Sequence, residues 1–271
     1  MDILSQIIET RKVRVASAKK LRPLAELRGD AMRVREMSAR HPLRDALTQS
    51  ERNNIIAEFK RRSPSKGEIR RNADPVAITK TYQLGGAVAV SVLTEEDYFA
   101  GSLDDLRAVR LAIPLPILRK DFVFDEYQVY ESAAAGADGL LLIVAALDDD
   151  MLVRLRTITE DELGMDALVE VHTAEELGRA VQAGARVIGV NNRDLSTFEV
   201  SLETSVQLAP AAPQDTFLIS ESGIGSVEDI ERLRALGYRG FLIGETLMRA
   251  DDPKELLAQL TLAQAFTPGK A

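Results

Sequence analysis

Eight short apolar runs, each followed by an amphipathic segment, organise the chain from residue 55 onward. They begin near residues 55, 87, 115, 139, 167, 187, 216 and 240. An apolar run too short for a core helix, alternating with a helical pattern, marks a strand-helix unit. Eight such units in succession predict a (β/α)8 barrel. The punctuation agrees. Asp74-Pro75 and Ser102 are candidate N-caps, with Pro75 at the first helical position, and Gly85, Gly136, Gly184 and Gly237 stand where helices should close. A weak repeat points the same way: Gly86-Ala87, Gly136-Ala137, Gly184-Ala185 and Gly237-Tyr238 each precede an apolar run. A doubly wound open sheet also alternates strand and helix, and is the structural alternative.

Residues 1–50 carry a helical pattern, with Ile3, Leu4, Ile7, Ile8, Val13 and Val15 among charged residues, and no strand signal. They read as a helical extension packed over one end of a barrel formed by residues 51–271, the whole making one structural domain. With 45% hydrophobic and 28% charged residues, the composition is that of a globular chain. A net charge of −8 and a pI near 5.1 argue against a broad nucleic-acid or anionic-membrane footprint. The absence of cysteine excludes a thiolate nucleophile and a cysteine-ligated metal. Charges appear early at the N-terminus, and the longest smooth apolar run, Leu140 to Leu147, is far short of the ~18 residues that span a bilayer. A cytoplasmic enzyme is therefore expected, as a monomer or at most a weak dimer.

Barrel enzymes gather their functional groups where strands end. Six of the eight runs carry polar groups there: Glu58 with Lys60, Thr94-Glu95-Glu96, Arg119-Lys120, Glu170, Asn191-Asn192-Arg193 and Glu221-Ser222. In Asn54-Ile-Ile-Ala-Glu-Phe-Lys60, alternation puts Glu58 and Lys60 on one face and Phe59 on the other. A buried face carrying both charges is costly unless they pair or serve a polar site. Between residues 60 and 71, six cations face one acid, Glu68, a local reversal in an acidic protein. The bland reading is a salt-bridged surface. Lys120 could be a general acid or simply pair with Asp121, and Glu170 an acid or base or simply the cap of a helix near Thr173. His172 should point away from Glu170 if the strand continues, which reads as packing or capping.

The Ser63-Pro-Ser-Lys-Gly67 loop, Ser222-Gly-Ile-Gly225 and Gly244-Glu245 offer hydroxyls and backbone N–H groups suited to an anion, the latter two after the seventh and eighth strands where barrels often seat phosphate. No metal is expected: His41 and His172 sit in no ligand motif, and Asp148-Asp149-Asp150 reads better as a helix start.

In combination and order, Ile56-Ala-Glu-Phe-Lys-Arg-Arg-Ser-Pro-Ser-Lys-Gly67, Val92-Leu-Thr-Glu-Glu-Asp-Tyr-Phe-Ala-Gly-Ser102, Leu118-Arg-Lys-Asp-Phe122, Leu168-Val-Glu-Val-His172, Val190-Asn-Asn-Arg-Asp-Leu195 and Ile219-Ser-Glu-Ser-Gly-Ile224 resemble the indole-3-glycerol-phosphate synthase family of tryptophan biosynthesis. The resemblance spans almost the whole chain. It implies a single-domain (β/α)8 TIM barrel that closes, decarboxylates and dehydrates 1-(2-carboxyphenylamino)-1-deoxyribulose 5-phosphate, with no cofactor or metal. It further implies Lys120 as general acid, Lys60 on the substrate carboxylate, Glu58 positioning the lysines, Glu170 in the dehydration, Asn191 orienting the intermediate, and Glu221 and Ser222 lining the site. Phe99 and Phe122 would flank the aromatic ring, Pro64 and Leu195 add apolar wall, and Arg193 join the substrate contacts. Ser63, Gly223, Gly244 and Glu245 would seat phosphate. Position 245 is Glu where many members of the family it resembles have Ser, so only its backbone is assigned. Two alternatives stand beside this reading: a phosphoribosylanthranilate isomerase-like barrel, which by resemblance uses a cysteine base absent here, and a non-catalytic phosphometabolite-binding barrel.

Overall fold

The structure, a computed structural model, describes residues 3–194 and 197–262. Eight parallel strands close into a barrel: β1 Ile55–Phe59, β2 Ala89–Leu93, β3 Ile117–Lys120, β4 Gly139–Ile143, β5 Asp166–Val171, β6 Val187–Asn191, β7 Phe217–Glu221 and β8 Gly240–Ile243. Each start lies within two residues of its expected position. Closure comes from β8 pairing with β1, Phe241 opposite Ile55, which excludes the open sheet.

Three helices precede the barrel, α1 Ile3–Leu21, α2 Leu24–Glu36 and α3 Pro42–Ala46. The remainder are α4 Pro75–Leu84, α5 Leu103–Ala112, α6 Glu126–Ala134, α7 Asp149–Thr157, α8 Ala174–Gln182, α9 Glu203–Leu208, α10 Val227–Ala235, α11 Glu245–Arg249 and α12 Pro253–Thr261. The expected caps form: Asp74 accepts from the Val76 N–H and Ser102 from that of Asp104. Asp148 likewise caps α7, accepting from Met151, which accounts for the acidic triplet. Gly85 keeps a right-handed φ of −77°, and it is Gly86, at φ 93°, that makes the left-handed turn out of α4.

Strand alternation splits the core into two layers. Ile56, Leu118, Leu168, Val187, Ile219 and Leu242 face into the barrel, where Leu43 and Leu47 join them from α3 and the residue that follows it. Ala57, Phe59, Ile117 and Val169 face the helices. The segment of α3 therefore plugs the N-terminal mouth. It is anchored by Asp166, which accepts from the Arg44 N–H at 3.0 Å and lies 3.3 Å from His41 Nδ1. Leu27 and Ala31 are buried where α2 packs on α6, while the first turns of α1 reach the opposite mouth. The extension thus serves both ends of the barrel rather than the one expected.

Candidate active site at the C-terminal mouth

The inward register that builds the core also builds the site. Two residues beyond Ile56 comes Glu58, then Lys60; beyond Leu118, Lys120; beyond Leu168, Glu170; beyond Ile219, Glu221; beyond Leu242, Gly244. Together with Asn191 they ring a cavity of about 420 Å³ floored by Leu93, Leu141, Ile143 and Leu242.

Lys120 bridges two carboxylates from strands across the barrel, with Nζ 2.9 Å from Glu170 and 2.5 Å from Glu221. It does not pair with Asp121, which answers Arg119 and Arg11 instead. Nor does Glu170 cap α8, a role taken by Thr173. Lys60 pairs with Glu58 at 2.5 Å. Two glycines make room for these acids: a side chain at Gly189 would collide with Glu221, and one at Gly244 with Glu58.

Burial pulls the Lys120 ammonium down, but the charges of Glu170, Glu221 and Glu58 outweigh it, and its pKa stands above the ordinary lysine value. Burial likewise pushes Glu170 up, and Lys120 and then His172 reverse this, holding it below the usual carboxylate range. For Glu221 burial prevails over Lys120, and the carboxyl is pushed up to about 7. At neutral pH the cluster therefore holds an ammonium, one firm carboxylate and one carboxyl near its titration point.

Asn191 Oδ1 accepts from Ser222 Oγ at 2.9 Å and from the Arg193 N–H at 3.0 Å, tying the ends of β6 and β7 together. Ser222 and Gly223 both take left-handed backbone, at φ 68° and 80°. A non-glycine residue held there is strained, as at many functional turns. Phe99 and Phe122 lie on one wall, their ring centres 6.0 Å apart and tilted by 40°. Ser63, Pro64, Arg193, Gly223, Gly244 and Glu245 also line the cavity. Leu195 lies outside the described residues. The carboxylate of Glu245 is answered by three cations, Arg249 at 3.2 Å, Arg193 at 3.8 Å and Lys66 at 4.0 Å.

Several strand-end charges do not join the cluster. Arg119 is fully buried on the outward face, bound to Asp121, Glu131, Thr94 and Ser132. Glu95 accepts from three successive N–H groups, Asp97 to Phe99, and so shapes the loop. Arg61 turns away to Asp105 and stacks on Phe59. Asn192 braces β6 against Ser220 and Ser205. His172 departs from expectation in the other direction: β5 ends at Val171, the alternation stops, and its imidazole turns back toward Glu170. Lys66 of the expected basic loop lines the cavity too, as do Ile3, Leu4 and Ile7 of α1, Phe198 and Arg249, which the sequence reading gives no place there. The amphipathic pattern of α1 was visible, but not its target.

The fold and site define a class: a (β/α)8 barrel enzyme with a lysine-carboxylate cluster at the C-terminal mouth and a glycine- and cation-rich rim beside it. The family model described as indole-3-glycerol phosphate synthase matches residues 4–260. A protein of that name from Kineococcus radiotolerans is 47% identical over 266 residues, covering 98% of this chain and 97% of its own. Another, from Laribacter hongkongensis, is 48% identical over 266 residues, covering 96% and 98%. The chain belongs to the indole-3-glycerol phosphate synthase family. Among solved structures, thiamine phosphate pyrophosphorylase from Pyrococcus furiosus shares the fold, with a TM-score of 0.60 at 17% identity over 80% of this chain and 95% of that one.

Proposed function

We propose that this cavity converts 1-(2-carboxyphenylamino)-1-deoxyribulose 5-phosphate into indole-3-glycerol phosphate, CO₂ and water, the carboxy-lyase step of tryptophan biosynthesis. The observation that carries the reading is Lys120, held between the buried carboxylates of Glu170 and Glu221 on the inner face of the mouth. Lys120 gives a proton to the ketone oxygen while the ring carbon bearing the carboxylate attacks the carbonyl carbon. The carboxylate then leaves as CO₂, and its bonding pair restores the aromatic ring. Finally the new hydroxyl departs as water and a proton is lost beside it, with Glu170 as acid or base.

A lysine paired this firmly is a weak acid, so the ketone oxygen must replace one of its carboxylates. Glu221, pushed up to about 7, is the partner that can surrender its charge. Lys60, held by Glu58, receives the substrate carboxylate, and Phe99 and Phe122 flank the ring with Pro64 beside them. Asn191 and Ser222, themselves hydrogen-bonded, orient the intermediate. Ser63 and the backbones of Gly223, Gly244 and Glu245 take the phosphate, with Arg193 nearby.

The reaction so written calls for no redox cofactor and no metal. A monomer acting in the cytoplasm is part of the proposal: every group assigned a role comes from one chain, and the substrate is a small metabolite. No described helix is long and apolar enough to cross a membrane. The test is turnover. Chelator-treated protein given this substrate should release CO₂ and indole-fluorescent product in equal amounts. Folded protein that binds the substrate without forming product would instead support the binding-only reading.

A further inference from the structure

We infer that His172 is a positioning residue that returns a proton to Glu170 from the side of the barrel rim facing away from the substrate. The inference rests on the reading of Glu170 given above.

Leaving β5 at Val171, the backbone carries His172 over the rim. Its Nε2 stands 3.6 Å from Glu170 Oε1, and its Nδ1 3.3 Å from Glu176 Oε2 on α8. That same Glu176 oxygen accepts from the His172 backbone N–H at 2.6 Å, which fixes the carboxylate and orients the ring. Nε2 is buried and has no hydrogen-bond partner among the described residues, and the Glu170 carboxylate lies just beyond hydrogen-bond distance of it. Glu170 lines the catalytic cavity, whereas His172 and Glu176 line a second one of about 570 Å³ against α1. The ring therefore separates two compartments.

The chemistry gives such a donor a use. The substrate carboxylate is ionised and leaves as neutral CO₂, so each turnover takes up one proton from solvent. Substrate seated as proposed would cover Lys120 and Glu170 at the mouth and close that route. The His172 imidazolium can supply the proton: its Nε2–H bond breaks, an O–H bond forms on Glu170, and the neutral ring keeps Nδ1–H on Glu176. A proton from bulk solvent then restores the imidazolium after product leaves. Burial disfavours the charged ring, but Glu176, Glu170 and Glu221 outweigh it and raise its pKa above the ordinary imidazole value, which favours the protonated ring. Glu9 and Lys12 of α1 and Asp194 beyond β6 complete the surroundings on the second cavity.

The test compares wild type with His172→Gln, which fills the space and can still hydrogen-bond to Glu176 but stores no proton, and with His172→Ala. Expected for His172→Gln is a kcat lower by about tenfold with KM unchanged; the wild-type kcat should fall on the alkaline side as His172 deprotonates, and that fall should be lost in His172→Gln. Added imidazole should restore His172→Ala severalfold. Wild-type kcat and pH profile in His172→Gln would overturn the inference. So would a loss in His172→Ala that imidazole does not repair; if that variant fails to fold, the His172→Gln profile alone decides. Glu170→Gln is measured in parallel, because full activity there would remove the reading of Glu170 itself, separately from anything His172 does.

Discussion

Replacing Lys120 separates its charge from its proton. In Lys120→Met the ammonium is gone, and Glu170 and Glu221, 3% and 1% exposed, lose their shared cation. Breaking a buried pair this way costs about 3–5 kcal/mol when the leftover charge cannot relax. Here it can relax in part, because Glu221 is already pushed up to about 7 and can go neutral, so the lower end of that range is expected at neutral pH. The residual cost has a sign: without the cation both carboxyls titrate above their unfolded value, so the variant should recover stability as pH falls and lose it as pH rises. Lys120→Arg keeps a cation but cannot release a proton near neutrality. A single proton transfer supplies about 10²–10⁴ in rate, or about 2.7–5.4 kcal/mol of barrier. Both variants should therefore lose at least about 100-fold in kcat, while Lys120→Arg melts closer to wild type than Lys120→Met does. Steady-state formation of the indole product, with thermal unfolding followed by circular dichroism at pH 6 and pH 8, measures both quantities. A folded Lys120→Arg turning over at near wild-type rate would refute the proton-donor argument.

Glu221→Gln should flatten one part of the pH dependence of stability: in wild type the raised carboxyl contributes stability that is present below pH ~4.5 and lost as pH rises toward about 7, up to about 3 kcal/mol, so the wild-type minus variant difference should fall across that window in denaturant titrations. Glu245→Ser removes the anion that now answers Arg249, Arg193 and Lys66; partly exposed pairs are worth about 0.2–1 kcal/mol, so inhibition by inorganic phosphate should tighten by up to about fivefold, read from its Ki. Leu43→Ala empties the plug of the N-terminal mouth and should cost about 2–5 kcal/mol in chemical denaturation, with kcat nearly unchanged well below the melting temperature.

The barrel was legible because its evidence is local. A strand-helix period, a cap such as Asp74 and an apolar run such as Leu140 to Ile143 declare themselves within a few residues. So does the inward face: counting by twos from Leu118 reaches Lys120, and the same count puts Arg119 on the outside, where it is found. What could not be read is which distant groups meet. Lys120 has Asp121 beside it in sequence, yet it pairs with residues 50 and 101 positions away, because barrel closure decides which strands face each other. For the same reason α1 shows its apolar stripe but not that Ile3, Leu4 and Ile7 reach the cavity. The place of His172 turns on a different point: alternation points it away from Glu170 only while the strand continues, and β5 stops one residue earlier.

The most direct measurement is a structure of the protein with the alcohol made by reducing the substrate's ketone, which keeps the carboxylate, ring and phosphate but cannot cyclise. Its carboxylate should sit at Lys60, its ring against the wall made by Phe99 and Phe122, its C2 oxygen within hydrogen-bond reach of Lys120 Nζ, and its phosphate against Ser63, Gly223 and Gly244. A phosphate bound at Lys120, or a C2 oxygen turned away from it, would contradict the account.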